Sequence, residues 1–136
     1  MKIDNDKRIW EINGHEVTRL LIDYHFTLQI SWSNKNEESE ALITIETPFT
    51  LSLSNIDIEC NPEDGTGIAE ALCVLHRKVS RISASRSGEL NISFKDGTEI
   101  IVRKHEYYES WSTQGKGEVS SMNMLCSPHD GPPWKE

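Results

Sequence analysis

VTRLLIDYHFTLQISW at residues 17–32 and VSRISASRSGELNISF at residues 79–94 align without a gap, 62 residues apart. Five of the sixteen positions are identical, and four more are conservative exchanges of Thr for Ser, Leu for Ile, Gln for Asn or Trp for Phe. Self-similarity at a fixed offset is typical of a fold built from related units. The pair therefore predicts two similar β units that pack together.

Outward from these stretches, apolar residues recur at every second position. Phe26–Trp32 alternates strictly, which is typical of a strand with one buried and one wet face, and Phe49–Leu53 repeats that pattern. We predict an α+β, mostly β fold: two antiparallel meanders that form one sheet, a sandwich or a flattened barrel. At 136 residues the chain is expected to be one domain, residues 1–136, with unit one at about 9–53, unit two at about 72–111 and an irregular tail at 112–136.

Turn residues divide the strands. Asn13-Gly14 after a short strand at Ile9–Ile12 and Asp96-Gly97 after Phe94 both predict tight hairpins. The polar run 33–40 predicts an eight-residue acidic loop at the place where the second unit keeps only a minimal turn. Because binding residues are common on elaborated loops, this loop is a functional candidate.

One segment, residues 66–76, changes to a helical period. Its apolar side chains recur at i, i+3, i+4 and i+7, with Thr66 as a candidate N-cap, which predicts one short amphipathic helix. The helical apolar positions are Ile68, Ala71, Leu72 and Leu75. The repeat offset favours an alternative in which residues 72–76 form a strand instead.

Charge is distributed unevenly along this acidic chain, whose formal net charge is −8. Residues 33–65 hold eight acidic residues against one lysine, whereas residues 76–104 hold seven basic residues against three acidic ones. An acidic chain repels phosphate backbones, so nucleic acid is not predicted as a partner. The acidic stretch is either solvated surface or the interface for a basic protein.

Cysteine and histidine spacing predicts neither a disulfide framework nor a metal site. The three cysteines stand outside any C-x-x-C, and Cys126 with His129 lacks a second pair of ligands. We expect no metal and no cofactor. The N-terminal residues show no apolar signal region, so the expected location is the cytoplasm, with no membrane association.

Aromatic residues flanked by acids lie near the end of unit two. Tyr107, Tyr108 and Trp111 form either a recognition patch or part of the core, because buried aromatics also anchor small β proteins. The candidate partner interface comprises the acidic and aromatic residues Glu37, Glu38, Glu40, Glu59, Glu63, Asp64, Tyr108 and Trp111.

The order of these motifs resembles a family of small uncharacterised bacterial domains. The resemblance rests on 13–17 (NGHEV), Asp23-Tyr24, 79–84 (VSRISA), 88–97 (GELNISFKDG), 108–111 (YESW) and the Gly/Pro turn before Trp134, and it covers most of the chain. The chain is also similar in kind to the small acidic immunity proteins of bacterial polymorphic toxin systems. That similarity implies a single domain that binds one partner tightly.

The leading hypothesis is therefore a non-enzymatic binding protein, in one form an immunity-type inhibitor of a basic toxin domain. A rival is a small enzyme that uses a histidine and carboxylate pair, either His105 with Glu106 or Glu109, or His129 with Asp130. A third hypothesis is a structural homo-oligomer joined through exposed edge strands.

Overall fold

A computed structural model describes residues 1–129 and 131–135. Within them, the regular elements are eleven strands, one α-helix and two short 3-10 helices, at Leu72–Val74 and Gly117–Val119. The strands are β1 Lys2–Asp4, β2 Lys7–Ile22, β3 Phe26–Asn34, β4 Glu37–Ile45, β5 Phe49–Leu53, β6 Ile56–Cys60, β7 Lys78–Ser85, β8 Leu90–Phe94, β9 Glu99–Val102, β10 Trp111–Lys116 and β11 Met124–Cys126. The helix is α1, Ile68–Ala71.

All strands belong to one antiparallel sheet in the order β11-β10-β4-β3-β2-β7-β8-β9-β5-β6, with β1 paired to β2. The sheet does not close into a barrel, because β11 and β6 stand at its two ends. The mostly β fold class is thus confirmed. None of the helices among the described residues has the length and apolar character needed to cross a membrane.

Strand β2 connects the two halves of the sheet. Residues Lys7–Glu16 pair with β7, and residues Val17–Ile22 pair with β3. The register shifts between Glu11 and His15, where Asn13 and Gly14 have φ angles of 58° and 83°. The predicted hairpin at Asn13-Gly14 is wrong, because the left-handed residues form an irregularity within a continuing strand that changes partner.

The two similar stretches both form antiparallel hairpins, β2 with β3 and β7 with β8. Each first strand has a register shift at the same place, after Val17 and after Val79. The pairing differs by two residues throughout, since Leu20 lies opposite Leu28 but Ile82 lies opposite Ile92. An even difference leaves each side chain on its original face, so Leu28 and Ile30 are buried like Leu90 and Ile92, although Ile22 is exposed where Ala84 is buried.

Both halves of the sheet contribute to one continuous apolar core. The Trp111 Nε1–H of β10 donates to the carbonyl oxygen of Gly88 in the β7–β8 turn at 2.9 Å. Phe26 of β3 contacts Phe49 of β5, with ring centroids 5.2 Å apart. These contacts join β-strands that are distant in the sheet order, so the halves face each other across the core.

The predicted short helix in residues 66–76 is confirmed, but its details differ. The helix α1 passes directly into the 3-10 helix, whose period of three buries Val74 and leaves Leu72 and Leu75 exposed. Residues 72–74 are therefore not a strand. Gly67 with φ 71°, rather than Thr66, occupies the N-cap position.

The predicted acidic loop at residues 33–40 is wrong. These residues extend β3 and β4 into a hairpin whose turn is Lys35-Asn36, and Asn34 lies opposite Glu37. Polar residues can continue a strand beyond the core because cross-strand pairing satisfies their backbone groups. Both units therefore make tight turns here, and loop elaboration no longer supports function at this position.

The tail at 112–136 contains regular structure that the sequence prediction missed. Trp111 begins β10, which pairs with β4 through Lys116 and with the short strand β11. At Gly115 a Cβ would lie 1.8 Å from the carbonyl oxygen of Val119. The glycine-rich composition therefore reflects close packing of the second 3-10 helix on β10, not an irregular chain.

A candidate binding cleft

A cleft of about 700 Å³ lies where the β2–β3 turn, the β4–β5 connection, the end of β6 and the β9–β10 loop meet. We call it the tyrosine cleft, after the exposed tyrosines on the two loops beside it. Its lining residues are His25, Glu46, Thr47, Pro48, Asn61, Glu63, His105, Tyr108 and Glu109.

On one side of the cleft, the β2–β3 turn places His25 against Glu46. The backbone N–H of His25 donates to Asp23 Oδ1 at 2.6 Å, which fixes the turn. The His25 Nε2 lies 3.2 Å from Glu46 Oε1, and the Glu46 backbone N–H donates to the carbonyl oxygen of Ser110 at 2.9 Å. The imidazole and the carboxylate are thus held as a pair at the cleft wall.

On the other side, His105 organises the β9–β10 loop. Its backbone N–H donates to Ser110 Oγ at 2.6 Å. Its ring nitrogen Nδ1 accepts hydrogen bonds from the backbone N–H groups of Tyr107 at 2.9 Å and Tyr108 at 3.3 Å. The Tyr108 ring centroid lies 5.1 Å from that of His105. The position of Tyr108 at the cleft therefore depends on this histidine.

Three tyrosines on these loops are unusually exposed. Tyr24, next to His25, is 75% exposed, and Tyr107 and Tyr108 are 71% and 68% exposed. Tyrosine is enriched in protein interfaces because its rigid, amphipathic ring buries much area at low cost in conformational entropy. The two loops thus present aromatic surface that the core does not use.

Among the described lining residues, the carboxylates of Glu46, Glu63 and Glu109 are accompanied by no lysine or arginine. Beside them, the backbone N–H and the hydroxyl of Thr66 donate hydrogen bonds to the Asp64 carboxylate, and these bonds lower its pKa. Asp64 therefore keeps its negative charge over the neutral range. With neutral histidines, the cleft lining carries a formal charge of −3.

The structure does not bring all of the predicted interface residues together. Glu63 and Tyr108 line the cleft, and Asp64 neighbours Glu63 in the same turn. Glu59 lies on β6, where one carboxylate oxygen accepts from Thr50 Oγ1 at 2.9 Å. Glu37, Glu38 and Glu40 lie towards the other end of β4, and the strand spans roughly 26 Å at about 3.3 Å per residue.

Trp111 does not belong to any exposed surface. Its side chain is fully buried, and its indole N–H bonds the carbonyl of Gly88 inside the core. The prediction of Trp111 as an interface residue is therefore wrong, while the alternative in which it fills the core is correct. Tyr107, for which the sequence also allows a place in the core, is exposed.

The acids of the β3–β4 hairpin are partly engaged within the protein. Glu40 accepts a hydrogen bond from Gln29 Nε2 at 2.9 Å. Nearby, Glu118 accepts from Asn34 Nδ2 at 2.9 Å and from Trp32 Nε1 at 3.1 Å, and these bonds lower the pKa of Glu118. These contacts stabilise the hairpin and leave less unpaired charge for a partner.

Two histidines converge in the cleft, as a catalytic site would require. Glu109 lines it with His105, but Glu106 is not among the lining residues. The sequence does not predict the pair of His25 with Glu46. In the structure Phe26 lies opposite Ile45, and the next position in the register brings residues 25 and 46 together. Asp130 lies outside the described residues, so the pair of His129 with Asp130 stays a prediction.

Metal ligands and cysteine thiols are two further groups that bear on function. No group of three or more His, Cys, Asp or Glu side chains that could hold a metal ion occurs within residues 1–129 and 131–135. Burial raises the pKa of the Cys60 thiol to about 11, and burial likewise raises the pKa of Cys126. Both thiols are thus protonated and poorly nucleophilic at neutral pH.

Comparison with known proteins gives a family but no described relative. No curated protein and no solved structure matches the chain. A family model does match, and it covers residues 9–131, from within β2 to the segment after β11. The chain therefore belongs to the family of unknown function DUF6188.

Proposed function

We propose that this protein is a non-enzymatic binding domain that holds a basic protein partner at the tyrosine cleft. The single observation that carries the proposal is the combination, at one site, of exposed tyrosines with carboxylates and no lining lysine or arginine. Exposed tyrosines supply contact area for a partner. Carboxylates attract a basic surface and repel acidic ones.

An immunity-type inhibitor of a basic toxin is the specific form of this proposal. It is supported by the acidic charge of the chain and by a compact core that presents its aromatic groups on two short, hydrogen-bonded loops. Preorganised loops lose little entropy on binding, which favours tight association. Immunity genes stand beside their toxin genes, so the products of the flanking genes are the partners to test.

The test measures association of each purified flanking-gene product with the immobilised chain by biolayer interferometry, at low and high salt. The cleft variant carries Glu63→Gln and Glu109→Gln, and the matched control carries Glu37→Gln and Glu38→Gln. All four carboxylates are exposed, and each variant removes two negative charges. We expect the cleft variant to slow association several-fold at low salt, roughly up to tenfold, and the control to change it little.

Dissociation reports the aromatic contribution separately. Tyr108→Ser should speed dissociation, because a central interface tyrosine commonly contributes more than about 1 kcal/mol. Slowed association in the hairpin control with an unchanged cleft variant would place binding on the β3–β4 hairpin instead. Failure of every flanking product to bind would contradict the inhibitor form of the proposal.

A small enzyme is the second candidate, because His25, Glu46 and His105 line one cleft. The pair of His25 and Glu46 has the geometry of a general base with its orienting carboxylate. The acidic lining disfavours anionic substrates and leaves neutral or cationic ones. Turnover that is lost in Glu46→Gln while partner binding is retained would favour the enzyme.

A further inference from the structure

The hydrogen bonds of His105 constrain where its ring can take up a proton. Its Nδ1 accepts from the N–H groups of Tyr107 and Tyr108, so in the neutral ring the single proton lies on Nε2. A second proton can then be added only at Nδ1. Protonated Nδ1 is a donor and can no longer accept either backbone N–H.

We infer that His105 is a pH-sensitive latch that holds the tyrosine loop ordered when neutral and releases it when protonated. The inference rests on the proposed function, because the released loop carries Tyr108 at the cleft. The loop loses two hydrogen bonds that fix Tyr107 and Tyr108 relative to His105. Partner binding is therefore weaker in acid than at neutral pH.

Charged and hydrogen-bonding groups surround His105. Two backbone N–H groups donate to its Nδ1, and the carboxylates of Glu46, Glu63 and Glu109 line the same cleft. The other neighbours are His25 across the cleft and the rings of Tyr107 and Tyr108. Protonation of both histidines reduces the formal charge of the lining from −3 to −1, which further weakens attraction for a basic partner.

The test needs no partner for its first part. Proton and nitrogen NMR between pH 8 and pH 5, the range in which histidines titrate, follows the His105 ring together with the amide signals of Tyr107 and Tyr108. We expect both amides to shift with the midpoint of the His105 ring. Their hydrogen exchange in acid should be roughly two- to tenfold faster than in a variant that keeps the latch closed.

His105→Asn is that closed-latch variant. An asparagine Oδ1 accepts the N–H two residues ahead without titrating, and this chain already uses that geometry between Asn61 Oδ1 and the Glu63 N–H at 3.0 Å. Exchange is compared at the same pH, so its intrinsic pH dependence cancels. His105→Ala, which removes the acceptor, should exchange faster at every pH.

Amides of Tyr107 and Tyr108 that do not follow the His105 ring would overturn the latch. So would amides that titrate equally in His105→Asn, because another group would then be responsible. A binding flanking product provides the second readout: its affinity should fall in acid for the native chain and fall less for His105→Asn. If no flanking-gene product binds but the amides of Tyr107 and Tyr108 still follow the His105 ring, the proposed function is rejected and the latch is retained.

Discussion

At the scale of single residues, backbone conformation decides which glycines can be replaced. Gly67 has φ 71°, and a Cβ there would lie 2.4 Å from the carbonyl oxygen of Glu59. Gly65 has a similar φ of 84° but has nothing within 4 Å. A side chain added at either position would meet the same left-handed strain, and at Gly67 it would also meet a steric clash.

This difference gives a matched pair of variants. Gly65→Ala should lower the free energy of unfolding by about 1–2 kcal/mol, the cost of a left-handed alanine. Gly67→Ala should lower it by more, because α1 must also move away from β6. Urea denaturation measures the free energy of unfolding of both variants. Equal losses would mean that the start of α1 accommodates the added methyl group without further destabilisation.

At the scale of elements, the β3–β4 hairpin is tied to the second 3-10 helix by one carboxylate. Glu118 accepts from Trp32 and Asn34, and its backbone N–H donates to Ser39 Oγ at 2.9 Å. The pKa of Glu118 is lowered in the folded state by the two side-chain hydrogen bonds. Its contribution to stability is therefore present above the ordinary value of 4.5 and is lost as the pH falls through the folded pKa.

We expect Glu118→Gln to lower the melting temperature at pH 7 and to have a smaller effect near pH 3, because the native carboxylate loses its charge as the pH falls through its folded pKa. Calorimetry at the two pH values measures this. Glu37→Gln, an exposed change on the same hairpin, is the control and should have little effect at pH 7. A Glu118→Gln difference that persists undiminished at pH 3 would show that the carboxylate charge is not responsible.

The elements also show what the sequence could predict. Strict alternation at Phe26–Trp32 identifies β3 because its buried face is apolar, and the period change identifies the helical segment. The polar run 33–40 carries no such contrast, since residues 33–38 are exposed and the buried position in the run is the polar Ser39. Without that hairpin the register of β3 and β4 is unknown, and His25 cannot be placed opposite Glu46.

Asn13-Gly14 shows a related limit at the level of turns. Left-handed φ values suit a hairpin turn and a strand irregularity equally well, and only the partners of β2 distinguish them. For the same reason the cleft could not be assembled from sequence. Its ionisable residues come from positions as distant as His25 and Glu109, and tertiary contacts alone bring them together.

At the scale of the whole molecule, an open sheet leaves end strands whose backbone groups could pair with another copy. At one end, β6 presents Asp57 and Glu59 on the same face of the strand. The backbone at Gly67 also packs against the carbonyl of Glu59 and covers part of this edge. When two β6 strands pair antiparallel about a two-fold axis, residues directly opposite each other must point to the same face of the sheet. Each β6–β6 register that meets this condition places an acidic residue opposite another acidic residue.

Like charges directly opposite destabilise a strand pair, so we expect the chain to be monomeric in light scattering at low salt. Asp57→Lys converts the register that places residue 57 opposite Glu59 into two attractive pairs. That variant should self-associate more than the native chain, and added salt should reverse the effect because it screens exposed charges. A native dimer that dissociates on Asp57→Lys would instead show that β6 already takes part in an interface. The homo-oligomer hypothesis would then hold for this edge of the sheet.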